Sequence, residues 1–276
     1  MRTDGTKAPS ISSDNVLRLH CPASWGELSQ EQLRYVLSLI GSNLYSDVEI
    51  RTMALIRFCG ITVIKRHSGG LWSCSIELDS RKTHYFDLLA WQVQDMIGQL
   101  GFINSPEDMD IRLEAIQGYR AVDGLLHGLN LKDGVDRPFP FYDYINMEVC
   151  YQGFLMSRSD KAVRKMSTYL YRDERGEKPE SLDLDTAELT GTLFWYVHIK
   201  KELAHHFTNF FRQATAGGAL SQTSILDSVN AQLRALTDGD VTKEEQVKQT
   251  DCWRALTELD AKAREAEEYK RKYGNK

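Results

Sequence analysis

The sequence predicts an α+β protein that is mainly helical, with a helical body, a small antiparallel β-hairpin or three-stranded sheet, and a C-terminal helical hairpin. Apolar residues recur every three to four positions through most of the chain, as they do in amphipathic helices. Runs of β-branched residues and period-two alternation are confined to residues 61–86. Strands and helices do not alternate and no glycine-rich turn follows a strand, so a doubly wound nucleotide-binding fold is not predicted.

Two helices are predicted first. Ser29 and Gln32 have the spacing of a capping box, and an apolar stripe follows them. Gly41 is expected to end this helix. The second helix is predicted over residues 47–58, with Gly60 as its stop signal.

The β element comes next. Residues 61–64 are β-branched throughout, the turn-forming residues 67–70 follow, and residues 71–78 alternate in part, which is typical of a hairpin. Residues 83–86 are predicted to add a third strand. A hairpin alone is marginal in water, so we expect it to pack on helices such as the one predicted over 88–100.

The middle of the chain is predicted to be irregular over 104–140, where several glycines interrupt the pattern. Helices are predicted over about 142–157 and 160–172. A polar stretch at 173–185 is interpreted as a solvated connector, and one long helix is predicted over 186–213.

The C-terminal part begins after a flexible joint at Gly217 and Gly218. A short amphipathic helix is predicted over 225–236 and a final helix over about 243–272. The predicted organisation is therefore a flexible segment at 1–22, a mainly helical domain at 23–213 with its β element near 61–86, and a C-terminal helical hairpin at 223–276.

The final helix carries an apolar seam with spacing close to a heptad repeat. Trp253, Leu256, Leu259 and Ala263 on this helix are predicted to bind a partner. An amphipathic helix cannot bury its stripe alone, so the seam needs the main domain, the neighbouring helix or another protein as its cover. The sequence leaves these alternatives open.

A metal site is the one chemical alternative that the sequence suggests. His198, Glu202 and His205 share one helix face, and Glu202-x-x-His205 has the spacing of a di-iron carboxylate motif. Such a site needs a second motif of this kind, which the sequence lacks. Lys201 and Arg212 lie on the same face, so we interpret it as solvated and predict no metal and no cofactor.

Charge and composition narrow the class of protein. The formal net charge is -5 and the isoelectric point about 5.8, which disfavours a nucleic-acid-binding protein. No apolar run approaches the roughly 20 residues of a membrane span, and the N-terminus lacks a secretory signal. The sequence thus predicts a cytoplasmic protein without a membrane partner.

The five cysteines stand at positions 21, 59, 74, 150 and 252, with no CxxC pair among them. This dispersal favours separate, mostly buried and reduced thiols over a disulfide framework or a zinc site. No catalytic signature surrounds any of them, so a non-enzymatic protein is predicted.

Several stretches carry a resemblance: residues 22–33, 118–123 with 151–153, and 230–236 through 252–259. Together they resemble uncharacterised proteins carried by prophages and mobile elements of gut anaerobic bacteria, some of them encoded near phage tail-assembly genes. The resemblance implies a phage-related setting and no reaction.

The predicted function is therefore a protein-interaction factor in phage tail assembly or virion morphogenesis, with a helical tail component as its partner. The alternatives are a metal-dependent enzyme built on Glu202 and His205, or a mobile-element regulator that binds nucleic acid through a local basic face.

Overall fold

The computed structural model describes residues 10–11, 17–78, 82–122, 139–215 and 222–273. The predicted fold class is confirmed, since these residues are mainly helical and also form two three-stranded antiparallel sheets and one pair of two-residue strands. The predicted joint at Gly217 and Gly218, and most of the predicted flexible segment at 1–22, lie outside the described residues.

The α-helices of these residues are α1 (Gln30–Ser42), α2 (Asp47–Phe58), α3 (Ala90–Gly98), α4 (Phe141–Ser157), α5 (Asp160–Leu170), α6 (Thr186–His206), α7 (Thr208–Thr215), α8 (Gln222–Thr237), α9 (Glu244–Gln249) and α10 (Cys252–Tyr273). The strands are β1 (Ser10–Ile11), β2 (Leu17–Arg18), β3 (Ile61–Arg66), β4 (Leu71–Glu77), β5 (Thr83–Leu89), β6 (Ala115–Ile116), β7 (Tyr119–Ala121) and β8 (Tyr171–Arg172). Short 3-10 helices lie at Trp25–Glu27, Gly101–Asn104, Pro106–Asp108 and Val241–Lys243.

The chain divides into two compact units, and each unit is built from two separate stretches of sequence. The first unit comprises Met1–Leu113 and Asp185–Trp195, and the second comprises Glu114–Leu184 and Tyr196–Lys276. The change of unit falls inside α6. The predicted C-terminal hairpin at 223–276 belongs to the second unit.

In the first unit, local sequence signals start the helices. The Ser29 hydroxyl accepts the backbone N–H of Gln32, and the Gln32 side chain accepts the backbone N–H of Ser29, which confirms the predicted capping box. Ser46 and Glu49 form the same reciprocal pair at the start of α2. The core of this unit includes fully buried apolar side chains, among them Trp25, Leu33, Leu37, Ile76, Ile97 and Leu100.

Gly41 does not end α1, so this prediction is wrong. The helix continues to Ser42 and closes at Asn43, whose φ of 53° lies in the left-handed region. Gly41 instead permits a close approach, because a Cβ there would clash with the Thr190 hydroxyl oxygen of α6. A small residue is thus required here by packing and not by helix termination.

The sheet of the first unit has the order β3-β4-β5, with both pairs antiparallel. Its buried face carries Ile61, Cys74 and Ile76, while Tyr85 on the opposite face of β5 is 69% exposed. Because β5 extends to Leu89, α3 begins at Ala90, later than predicted.

The second unit packs α4 on α5 and places α10 against α7, α8 and α4. Its core includes Phe141, Tyr144, Met147, Tyr196 and Leu256. The small sheet has the order β6-β7-β8 and was not predicted. The helix predicted over 160–172 ends at Leu170, because the next two residues pair with β7 as strand β8.

The long helix predicted over 186–213 is wrong in one respect, since it breaks at Phe207 into α6 and α7. The carboxylate of Asp260 on α10 accepts the backbone N–H groups of Asn209 at 2.8 Å and Phe210 at 3.0 Å. These are amide groups that a helix start leaves without an intrahelical acceptor. A residue distant in sequence therefore caps the second segment.

The final helix predicted over 243–272 also breaks, between α9 and α10. The backbone N–H of Cys252 donates to the carbonyl of Phe139, and that of Phe141 donates to the carbonyl of Thr250, each at 2.8 Å. These bonds hold Asp251 in a β-bridge with Pro140. An extended bridge and a continuous helix exclude each other at this point.

Candidate functional site

The predicted partner-binding seam lies mostly inside the second unit. Leu256, Leu259 and Ala263 are buried, with at most 7% of each residue exposed. Trp253 is half-buried, and its ring lies 4.9 Å from that of Phe207 between centroids. The cover for this part of the seam is therefore the chain's own α4, α7 and α8. The role of these four residues in binding a partner stays a prediction.

The cover ends before the helix does. Beyond Ala263, the rest of α10 is exposed apart from the partly covered Glu267. Ala266 and Tyr273 continue the apolar spacing, and Tyr269 lies one turn before Tyr273, with the two rings 4.8 Å apart. Both tyrosines are more than 60% exposed. We call residues 264–273 the α10 end.

Charges along the α10 end are ordered. After Arg264 come three glutamates, at 265, 267 and 268, and Lys270, Arg271 and Lys272 fill the last turn. Cations in the last turn also suit the negative end of the helix dipole. Glu267 has an ion pair within the unit, at 3.5 Å from Arg212. The exposed surface thus presents an acidic half and a basic half, with Tyr269 between them and Tyr273 at the end of the basic half.

The metal candidates do not form a ligand cluster. His198 and Glu202 are half-buried on α6, whereas His205 is exposed and its ring lies against that of His206. No three His, Cys, Asp or Glu side chains within the described ranges stand where they could together hold a metal ion. These residues give no geometric support to a metal-dependent enzyme.

A polar cluster that the sequence did not reveal ties α4 to α6 in the second unit. The Glu148 carboxylate accepts from the Lys200 ammonium at 2.6 and 2.7 Å, and from the Tyr196 hydroxyl at 2.9 Å. Gln152 donates to it as well, at 2.5 Å. The Lys200 nitrogen also lies 4.9 Å from the centre of the Tyr151 ring.

The chemistry of this cluster is structural. Burial, and then the negative charge of Glu148, raise the pKa of Tyr196 well above its usual value, so the phenol keeps its proton and acts as a donor. Both carboxylate oxygens of Glu148 are engaged by donors. The cluster therefore holds two helices in register.

A second buried carboxylate serves a similar role. Asp143 is 2% exposed and accepts from Arg172 at 2.9 Å and from Lys178 at 2.6 Å. Arg172 also donates to the carbonyls at the end of α5. This ion-pair group joins the start of α4 to the end of α5, and it is a packing feature of the second unit.

The first unit has an open groove of about 560 Å³ between α1, α2 and β3. Its lining includes Glu31, Tyr35 and Arg57. Arg57 is already paired with Glu31 at 2.8 Å and lies over the Tyr35 ring, so the charged groups at the rim neutralise each other. Binding sites for small molecules are enclosed and bury most of their ligand, which this groove does not do.

Searches of protein-family models, curated proteins and solved structures return no match for this chain. The resemblance to prophage proteins therefore stays a prediction. Across the described helices, none has the length and the apolar run needed to span a bilayer.

Proposed function

We propose that this chain is a non-enzymatic protein-interaction factor of the cytoplasm, and that the α10 end is its contact with a helix of another protein. The observation that supports this proposal is that the apolar seam of α10 is covered up to Ala263 and uncovered beyond it. The covered half fixes α10 in the second unit, and the α10 end extends that rigid helix by about 15 Å at 1.5 Å per residue.

The α10 end has the character of a contact surface. Tyrosine supplies a large apolar area at a small loss of conformational entropy, and it is enriched at the energetic centres of interfaces. Tyr269 and Tyr273 are neighbours on one face of a helix that is already ordered. A partner therefore does not have to order this segment, which removes one cost of binding.

The order of charges favours a helix as the occupant. A second helix that runs antiparallel and carries acidic residues followed by basic residues places each of its halves opposite the complementary half of the α10 end. Flanking charges of this kind set partner choice and orientation in helix pairs. We propose a helical phage tail component as the partner, and the support for this class is the resemblance to prophage-encoded proteins.

The test uses the products of the genes that flank this one, each expressed with the full chain and measured for binding. The double variant Tyr269→Ala/Tyr273→Ala should weaken binding to the cognate product at least tenfold and leave the melting temperature unchanged. Tyr85→Ala is the matched control, because Tyr85 is 69% exposed and Tyr269 67%, and Tyr85 lies in the first unit. It should bind like wild type.

Equal affinities for the double variant and the control would remove the α10 end from the interface. A chain that binds no flanking product, or that uses the α10 end only to pair with a second copy of itself, would overturn the proposed partner.

A further inference from the structure

Two cysteines that stand far apart in the sequence meet in the first unit. Cys21 precedes the first 3-10 helix, and Cys59 closes α2. The Cys59 thiol donates to the backbone carbonyl of His20 at 3.7 Å, which brings its sulfur beside Cys21, and the two cysteine side chains lie within hydrogen-bonding reach of each other. The predicted separation of the thiols is therefore wrong for this pair, although all five cysteines are free thiols in the structure.

The two thiols differ in access and acidity. Cys21 is half-buried, whereas only 4% of Cys59 is exposed. Hydrogen bonding with the Cys59 side chain lowers the pKa of Cys21, although burial and the nearby Glu27 oppose it. The same hydrogen bond and burial raise the pKa of Cys59. Cys21 is therefore the more acidic and the more accessible thiol of the pair, and Cys59 is its buried neighbour.

The remaining cysteines lack this arrangement. Burial is the main cause that raises the pKa of Cys74, Cys150 and Cys252 alike. Cys74 and Cys252 are at most 1% exposed, and Cys150 is half-buried. A reagent that needs an accessible thiolate should therefore select Cys21.

We propose that Cys21 and Cys59 are a reactive dithiol that reduces a low-molecular-weight disulfide and closes to an intramolecular disulfide. The Cys21 thiolate attacks one sulfur of the disulfide, forms a mixed disulfide and expels one thiolate. Cys59 then loses its proton and attacks the Cys21 sulfur, which expels the second thiolate. The two protons from the cysteines end on the two released thiols, and the two electrons reduce the small disulfide.

The test treats the full-length reduced protein with oxidised glutathione in the absence of air, then traps remaining thiols with an alkylating reagent. We expect titratable thiols to fall from five to three and the unalkylated mass to fall by two hydrogen atoms, with no glutathione retained. Peptide mapping should join Cys21 to Cys59.

Single variants separate the two roles. Cys59→Ser should stop at the mixed disulfide and retain one glutathione on Cys21, while Cys21→Ser should react at least tenfold more slowly. Cys150→Ser, which changes a comparably half-buried thiol, should behave as wild type. Retained glutathione on wild type, a link that includes another cysteine, or an unchanged rate for Cys21→Ser would overturn the proposal.

Folding of the variants is checked independently by their melting curves. Should the buried Cys59→Ser substitution prevent folding, the half-exposed Cys21→Ser variant still decides the matter, because the rate of disulfide formation depends on Cys21 alone for its first step. The reaction does not involve the α10 end, so its outcome is independent of the proposed interaction function.

Discussion

Replacement of Leu256 by alanine tests whether the chain itself covers the seam of α10. Leu256 is fully buried in the second unit, and Cys252 and Ala255 beside it are buried as well. The substitution removes three carbon atoms from a site enclosed by neighbouring helices, where little relaxation can fill the space. Leu→Ala changes in such cores lower the free energy of unfolding by about 2–5 kcal/mol, and we expect about 3 kcal/mol here.

A loss of about 3 kcal/mol lowers the melting temperature of a domain of this size by roughly 6–12 °C. Urea unfolding followed by far-ultraviolet circular dichroism measures the free energy, and a thermal scan gives the shift. Leu226→Ala on α8 is the matched control, because Leu226 is 60% exposed and its loss should change the free energy by less than about 0.5 kcal/mol. Indistinguishable results for the two variants would refute the reasoning that the seam is packed within the chain.

Three further outcomes follow from the packing and electrostatics. Gly191→Ala places a Cβ 2.9 Å from a leucine methyl of α1 and should lower the free energy of unfolding by about 1–3 kcal/mol. Gly153→Ala in α4 places a Cβ with no other atom within 4 Å and should raise the free energy of unfolding by about 0.5–1 kcal/mol. Urea titration of both variants measures the difference. Asp143→Ala leaves two cations without their buried carboxylate and should lower the free energy of unfolding by about 3 kcal/mol. Asp183→Ala removes an exposed ion pair and should lower the free energy of unfolding by less than about 1 kcal/mol. Equal losses would contradict the structural role given to the buried carboxylate. Burial opposes ionisation of Asp260, yet hydrogen bonds from the start of α7 hold its pKa below the usual value. Its stabilising effect should therefore be complete above about pH 5 and be lost as the pH falls through the lowered pKa. The difference in the free energy of unfolding between wild type and Asp260→Asn should then become smaller in acid. A difference that stays constant down to about pH 2 would contradict the capping role.

Local signals account for what the sequence predicted well. The capping box at Ser29 is complete within four residues, and the β-branched run from Ile61 needs only its own alternation and the turn after it. Such local patterns identify a helix or a strand without information about the elements that it packs against. They do not identify its neighbours, which is why the stripe on α10 was predicted from spacing while its cover was left open.

The features that sequence reasoning missed depend on distant residues. The end of α6 is set by Asp260, about fifty positions further along the chain, and the break before α10 is set by a bridge to Pro140. Glu148 and Lys200 are 52 positions apart and become partners only because α4 lies against α6. One signal was available in the sequence. Glu148 lies at helical spacing from neighbouring tyrosines, so a charged side chain shares a helix face with large aromatic side chains.

The interrupted sequence of the first unit determines the order in which it can form during synthesis. Asp185–Trp195 supplies the partners of Arg34 and packs against Gly41, but the ribosome delivers residues 114–184 before it. At about 5–20 residues per second, the stretch ending at Leu113 is therefore synthesised several seconds before the second stretch of the same unit. During that interval the apolar face of α1 is uncovered in a nascent chain, so slower translation through 114–184 lengthens the exposure of an aggregation-prone surface.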